Sequence, residues 1–354
     1  ETLLLYLTAY LLFTHRDRLT VRDAFIAGIP SGFAVLTRLN IAIVLPIFAL
    51  YVFLLASSET DVQVGQEETA PGLFQRVSSR LKRPFSRVAF EDWPNINVVR
   101  VTAAFLATPF FSVLLYLGLN YYRFDTIRDP AFGNILDGSL DIFVGLYGNL
   151  LSPGRSIFLY SPPLILALLM FRQFYRRFPY EALLVAGIAV CYIVLYSIPL
   201  DWDGGWSWGP RYLLAIVPFL MLPLGYFFTS RARIALAVAF GILGAGIQLL
   251  GIIINYSFVY WDWTYMKLVP SNAFLFVPGI SPIPNNFRDL LAGKNVDMWI
   301  VWSYHQSGLM AVLGIAGISF SLFMAGLFFL IDGISPEMEN VDDSERTQAD
   351  YASD

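Results

Sequence analysis

Ile41-Ala42-Ile43-Val44-Leu45-Pro46-Ile47-Phe48-Ala49-Leu50-Tyr51-Val52-Phe53-Leu54-Leu55-Ala56 contains no charged side chain. A second apolar run, 24–37, lies just before it, and Arg38-Leu39-Asn40 joins the two. A bilayer is crossed by about 20 apolar residues, so 24–56 is too long for one crossing and short for two. The flanks decide between one and two. His15, Arg16, Arg18 and Arg22 precede the stretch; Arg76, Arg80, Lys82, Arg83 and Arg87 follow it. Basic loops stay on the cytoplasmic side. Both flanks then share a side, so the chain crosses twice and turns at Arg38-Leu39-Asn40.

The same reasoning extends outward. Apolar runs at 2–13, 24–37, 41–56, 96–119, 156–171, 180–200, 212–228, 234–256 and 308–331 predict an all-α, polytopic membrane protein of about nine spans. Arg172, Arg176 and Arg177 fall inside, as do Arg231 and Arg233. The start of the chain is then outside and its C-terminus cytoplasmic. Residues 1–334 form the membrane domain. Residues 57–95 form a cytoplasmic loop, whose 73–85 portion reads as an interfacial helix or as a plain basic loop. Residues 120–155, 200–211 and 257–307 form external loops. The acidic tail 335–354 is expected to be disordered.

Composition agrees. Of 354 residues, 56% are hydrophobic and only 14% charged, where a soluble domain carries about 25% charged residues. The mean hydropathy is +0.60. These values exclude a soluble enzyme and a disordered chain. A net charge of −4 gives no basic surface for nucleic acid. Cys191 is the sole cysteine and His15 and His305 the sole histidines, so no disulfide framework, metal site or cofactor site is read from them. Localisation in a membrane follows, and a prokaryotic cytoplasmic membrane is the expectation.

Chemistry is concentrated in Asp201-Trp202-Asp203-Gly204-Gly205-Trp206-Ser207-Trp208-Gly209-Pro210-Arg211. Arg211 follows a proline at the start of a span, where free amide hydrogens and a guanidinium suit a phosphate. Trp206 and Trp208 beside Asp201 and Asp203 suit a sugar, which stacks on indole faces and donates its hydroxyl hydrogens to carboxylates. Arg155, after Ser152-Pro153-Gly154, is a second phosphate candidate, and Arg38 a weaker third. The competing reading makes the tryptophans interfacial belt residues and the arginines headgroup anchors. For Trp261, Trp263, Trp299 and Trp302 the belt reading leads, and His305 reads as interfacial.

Two of these blocks, 152–163 (Ser-Pro-Gly-Arg-Ser-Ile-Phe-Leu-Tyr-Ser-Pro-Pro) and 206–214 (Trp-Ser-Trp-Gly-Pro-Arg-Tyr-Leu-Leu), resemble motifs of GT-C-type polytopic glycosyltransferases. These are the relatives of protein O-mannosyltransferases and aminoarabinose transferases. The opening, with 27–38 (Ala-Gly-Ile-Pro-Ser-Gly-Phe-Ala-Val-Leu-Thr-Arg), is similar to a middle section of those enzymes. The resemblance implies transfer of a sugar from a polyprenyl-phosphate donor to an acceptor on the external face. It implies lipid-phosphate binding by Arg155 and Arg211, and sugar or acceptor contact by Trp206 and Trp208. It also implies that the chain is a C-terminal portion of a longer protein, because the family's catalytic carboxylate lies in a first external loop with no matching position here. The expected partners are membrane lipid, the lipid-linked donor and other membrane subunits. The alternative function is a catalytically inert subunit that scaffolds a larger complex.

Overall fold

The computed structural model describes residues 1–63, 96–127, 142–198, 202–205, 207–257 and 273–298, with 308–309, 313–314, 316–322 and 324. Several sequence readings therefore lie outside the described residues: the interfacial helix at 73–85, the tail 335–354, most of the ninth span, residues 128–141, Asp201, Trp206, Trp261, Trp263, Trp299, Trp302 and His305. The described chain is helical and contains no strand. Three of its helices are long and apolar enough to cross a membrane, Leu39–Ser57, Ile96–Phe124 and Arg231–Ile253.

The first unit comprises Glu1–Gly251 and Tyr256–Arg288. Its opening helices are α1 (Thr2–Thr14), α2 (Val21–Thr37), a 3-10 turn (Leu39–Val44) running into α3 (Leu45–Gln63), and α4 (Ile96–Phe124). There follow α5 (Ile142–Leu151), the single turn α6 (Ile157–Tyr160), α7 (Pro163–Arg177) and α8 (Pro179–Leu195). Next comes a composite segment: 3-10 Arg211–Ile216, α9 (Val217–Met221) and 3-10 Leu222–Phe227. Last are α10 (Arg231–Ile253), α11 (Ala273–Phe276), the turn Pro278–Ile280 and α12 (Pro282–Leu291).

Contacts at the helix ends give the order. Arg38, at the end of α2, pairs with Glu1 at the start of α1 (3.8 Å). His15, after α1, faces Asp23 at the start of α2 (3.9 Å). Tyr51 of α3 packs edge-on against Phe13 (5.9 Å) and donates to Glu181 at the start of α8 (3.3 Å). Asn40 bonds Tyr196, just past the end of α8. Tyr226 lies by Phe174 of α7, while Tyr212 stacks on Tyr196 (4.8 Å). The segments α1, α2, α3, α8 and 211–227 thus run alternately between two ends. Glu1, Arg38, Asn40, Tyr196 and Tyr212 mark one end. Arg16, Glu181, Phe178 and Phe227 mark the other.

Local sequence explains the joints. A capping box starts α2: Thr20 Oγ1 accepts from the Asp23 amide (3.2 Å), and the Asp23 carboxylate accepts from the Thr20 amide (3.2 Å). Gly28 and Gly32 let α2 approach α4 closely; a Cβ at Gly28 would sit 2.3 Å from the Phe105 carbonyl oxygen. The apolar runs at 156–171 and 212–228 are not continuous α-helices, contrary to the sequence reading. The first breaks at Ser161-Pro162, and the second tightens around Pro218 and Pro223, whose rings remove backbone donors. Two stretches read as external loops also contain helix: α5 falls within 120–155, and α11 and α12 within 257–307. Residues 57–63, read as loop, continue α3.

Large apolar side chains on α4 and α10 point outward, among them Phe110, Phe111, Leu114, Ile242 and Leu243. Water would oppose so continuous a display; lipid does not. The second unit, Ile252–Asn255 with Asp289–Asp354, contains among its described residues one isolated bridge, Ile254 to Val296. Amide bonds from Asn255 to the Asn295 carbonyl (2.9 Å) and from Asp297 to the Ile253 carbonyl (2.8 Å) flank it.

Candidate functional site

The glycine-tryptophan loop is built on Arg155. That side chain has no solvent exposure and is the largest among the fully buried ones. Its guanidinium donates to three loop carbonyls: Ser207, Gly209 (3.1 Å) and Gly205 (2.5 Å). Its charge faces Asp203 at 4.0 Å and the ring of Tyr256 at 5.5 Å. Alternate carbonyls converging on one cation fix the loop's path as a regular ladder would. Asp203 adds a turn, accepting from the Gly205 amide (3.2 Å). Gly204, Gly205 and Gly209 have φ of 72°, 59° and 68°, a region that side chains with a Cβ rarely occupy.

Arg155 is itself held. Ser152 Oγ donates to the Gly148 carbonyl (2.8 Å) and accepts from the Arg155 amide (3.1 Å). Ser156 Oγ donates to the Leu150 carbonyl (2.6 Å) and caps α6. The Gly154 amide donates to the Leu275 carbonyl (3.0 Å), which ties this turn to α11. Asn149 reaches the carbonyl of Tyr196 (3.2 Å). The block 152–156 is therefore a folded socket, and its serines, glycine and arginine each have a separate hydrogen-bonding or packing role.

The tryptophans of the loop work as anchors. Trp208 lies over Gly251 of α10, where a Cβ would meet three indole atoms at 2.5 Å. It stands edge-on to Tyr160 (5.3 Å) and to Tyr256 (5.9 Å). Trp202 fills the space over Gly148 and packs near Phe276. The Trp208 Nε1, the Tyr160 hydroxyl and the Arg155 Nε are buried without a hydrogen-bond partner among the described residues. Such donors cost free energy when left unmet.

Arg211 is different. It is exposed, lies against Gly204 and projects over the ring of Tyr212 (4.9 Å), to whose hydroxyl it donates (3.1 Å). Tyr212 stacks nearly parallel on Tyr196, and Tyr196 meets Asn40. Arg38 and Glu1 are at the same end. The two arginines predicted to bind phosphate thus touch one loop from opposite positions. Arg155 lies within it with both terminal nitrogens donating to loop carbonyls, and Arg211 stands at its rim. Of the predicted sugar contacts, Asp203 is engaged with Arg155 and Trp208 is packed inside. The roles of Tyr160, Gln248, Tyr256 and the Tyr196–Tyr212 stack were not read from sequence. Gln248 donates to the Tyr160 carbonyl (2.7 Å), a contact between distant segments that no spacing signals.

Among the described residues no cluster of histidine, cysteine and carboxylate side chains could hold a metal ion. No family model, curated protein or solved structure matches the chain.

Proposed function

We propose that this chain acts as a membrane-embedded glycosyltransferase of the GT-C type that uses a polyprenyl-phosphate sugar donor. In this reading the bilayer lies between the two helix ends. The chain makes nine crossings with 308–331 as the last, and the end bearing Arg211 faces outside. A prokaryotic cytoplasmic membrane is the setting. One observation carries the proposal: a glycine-rich loop, hydrogen-bonded from within by Arg155, presents the exposed guanidinium of Arg211. A cation held beside a helical start on such a loop can accept a phosphate without reorganising. Arg211 then binds the lipid phosphate and stabilises the charge that develops on it as the sugar leaves. Arg155 acts by positioning. The carboxylate that deprotonates the acceptor is supplied from outside the residues assigned here.

A second reading is favoured by one detail. Asp203 is tied to Arg155 and to the Gly205 amide, which leaves it no free role as a base. A catalytically inert scaffold subunit would look the same in this respect. Binding of a polyprenyl phosphate to the purified full-length protein separates the two. Charge-assisted contacts to phosphate are about twice as strong as neutral ones, so Arg211→Ala should weaken binding roughly thirtyfold. Arg211→Lys should recover part of it. Equal affinity across wild type and both variants would favour the scaffold.

A further inference from the structure

The opposite end of the first unit gathers arginines from three turns. Arg18 and Arg22 lie at the α1–α2 turn, Arg172, Arg176 and Arg177 in the last turns of α7, and Arg231 and Arg233 at the start of α10. All seven are exposed. Side-chain contacts join the three turns. Arg16 stacks on Phe178 (4.6 Å) and pairs with Glu181 (3.4 Å), which brings the first turn to the second. Phe174 packs with Tyr226, and Arg233 lies over Phe227 (5.8 Å), which brings the third to the second.

Among the described side chains, the acidic groups at this end are already engaged. Glu181 is buried and shared between Arg16 and Tyr51. Asp17 meets Arg16 (3.4 Å), and Asp23 closes the capping box. Among the described residues no ion pair engages Arg18, Arg172, Arg176, Arg177, Arg231 or Arg233. The choice of cation is equally one-sided. The chain has 20 arginines against 3 lysines, and among the described residues every cation at this end is an arginine or His15. Lysine would serve for a plain positive surface, whereas the guanidinium fork matches phosphate oxygens two at a time.

We propose that this end is a binding surface for anionic phospholipid headgroups of the surrounding bilayer. The phosphodiesters would sit among the α7 arginines and those of the neighbouring turns. Apolar side chains of the same helices, such as Leu168 and Leu169 on α7, are exposed and would meet the acyl chains. The inference rests on the membrane reading and is independent of glycosyl transfer. Loss of polyprenyl-phosphate binding by Arg211→Ala has no bearing on it.

The test uses the full-length protein in phosphatidylcholine nanodiscs with a minor fraction of phosphatidylglycerol. Lipid retained after mild delipidation is counted by native mass spectrometry. Wild type should retain phosphatidylglycerol in preference to phosphatidylcholine. Replacing Arg172, Arg176 and Arg177 together by Gln should reduce that preference by about fivefold per arginine, roughly a hundredfold in all. The corresponding triple Lys variant should fall between the two. If the triple Gln variant does not fold, wild type still decides: its preference should shrink as salt is raised. A wild type without preference, or one whose preference ignores salt, would overturn the proposal. Equal retention by a folded triple Gln variant would do the same.

Discussion

At the scale of single residues, Arg155 and Arg211 show how differently one side chain can be used. Arg155 has its charge buried and its hydrogens directed to carbonyls of Gly205, Ser207 and Gly209. Removing it takes the side-chain donor from those carbonyls and the opposite charge from Asp203. Breaking one member of a buried pair costs about 3–5 kcal/mol. Arg155→Ala should therefore lower the unfolding temperature in detergent. Arg155→Lys should rescue little, because one ammonium cannot reach three carbonyls in a fork. Wild-type-like melting of both variants would remove its positioning role. Nothing in the sequence distinguishes the two arginines. Each follows a proline-containing turn, and their burial depends on Tyr256 and on loop carbonyls that local pattern does not reveal.

At the scale of elements, the α2–α4 contact depends on glycine. A methyl at Gly28 would meet the Phe105 carbonyl oxygen at 2.3 Å, a backbone atom that cannot swing aside. Gly28→Ala should destabilise by about 1–3 kcal/mol through overpacking, read from thermal unfolding, while Gly118→Ala, with open space around it, should be near neutral. The cap of α2 gives a pH signature. Hydrogen bonding from Thr20, with help from His15 and Arg22, holds the Asp23 carboxyl below its usual range. A depressed carboxylate stabilises the fold above its unfolded value, and that contribution is lost as pH falls through the folded value. The stability gap between wild type and Asp23→Asn should therefore close as pH falls below about 4. A gap unchanged at pH 2.5 would contradict the capping box.

Elements also show what sequence could and could not give. The reversal at Arg38 was legible because basic residues flank both sides of 24–56, and charge is written in the sequence. The breaks at Ser161-Pro162 and around Pro218 and Pro223 were less so. Apolar runs there look continuous, and proline is tolerated in membrane helices when neighbours satisfy the freed groups. The loop 202–211 announced itself by its glycines, yet the burial of Trp208 against Gly251 required partners far along the chain.

At the scale of the molecule, the described helices run between an end that carries Arg38, Tyr196, Arg211 and the glycine-rich loop and an end that carries the arginine turns. The account places a membrane between these ends, with the loop outside and able to meet a lipid phosphate. One experiment addresses side and site together. In a Cys191→Ser background, Ser207→Cys would be labelled in oriented vesicles by a membrane-impermeant thiol reagent, with Ser230→Cys as the opposite-end comparison. The account predicts that Ser207→Cys reacts from outside, that Ser230→Cys does not, and that a polyprenyl phosphate slows the reaction at Ser207→Cys alone. Labelling of both positions from the same side, or a rate at Ser207→Cys that the lipid phosphate leaves unchanged, would contradict it.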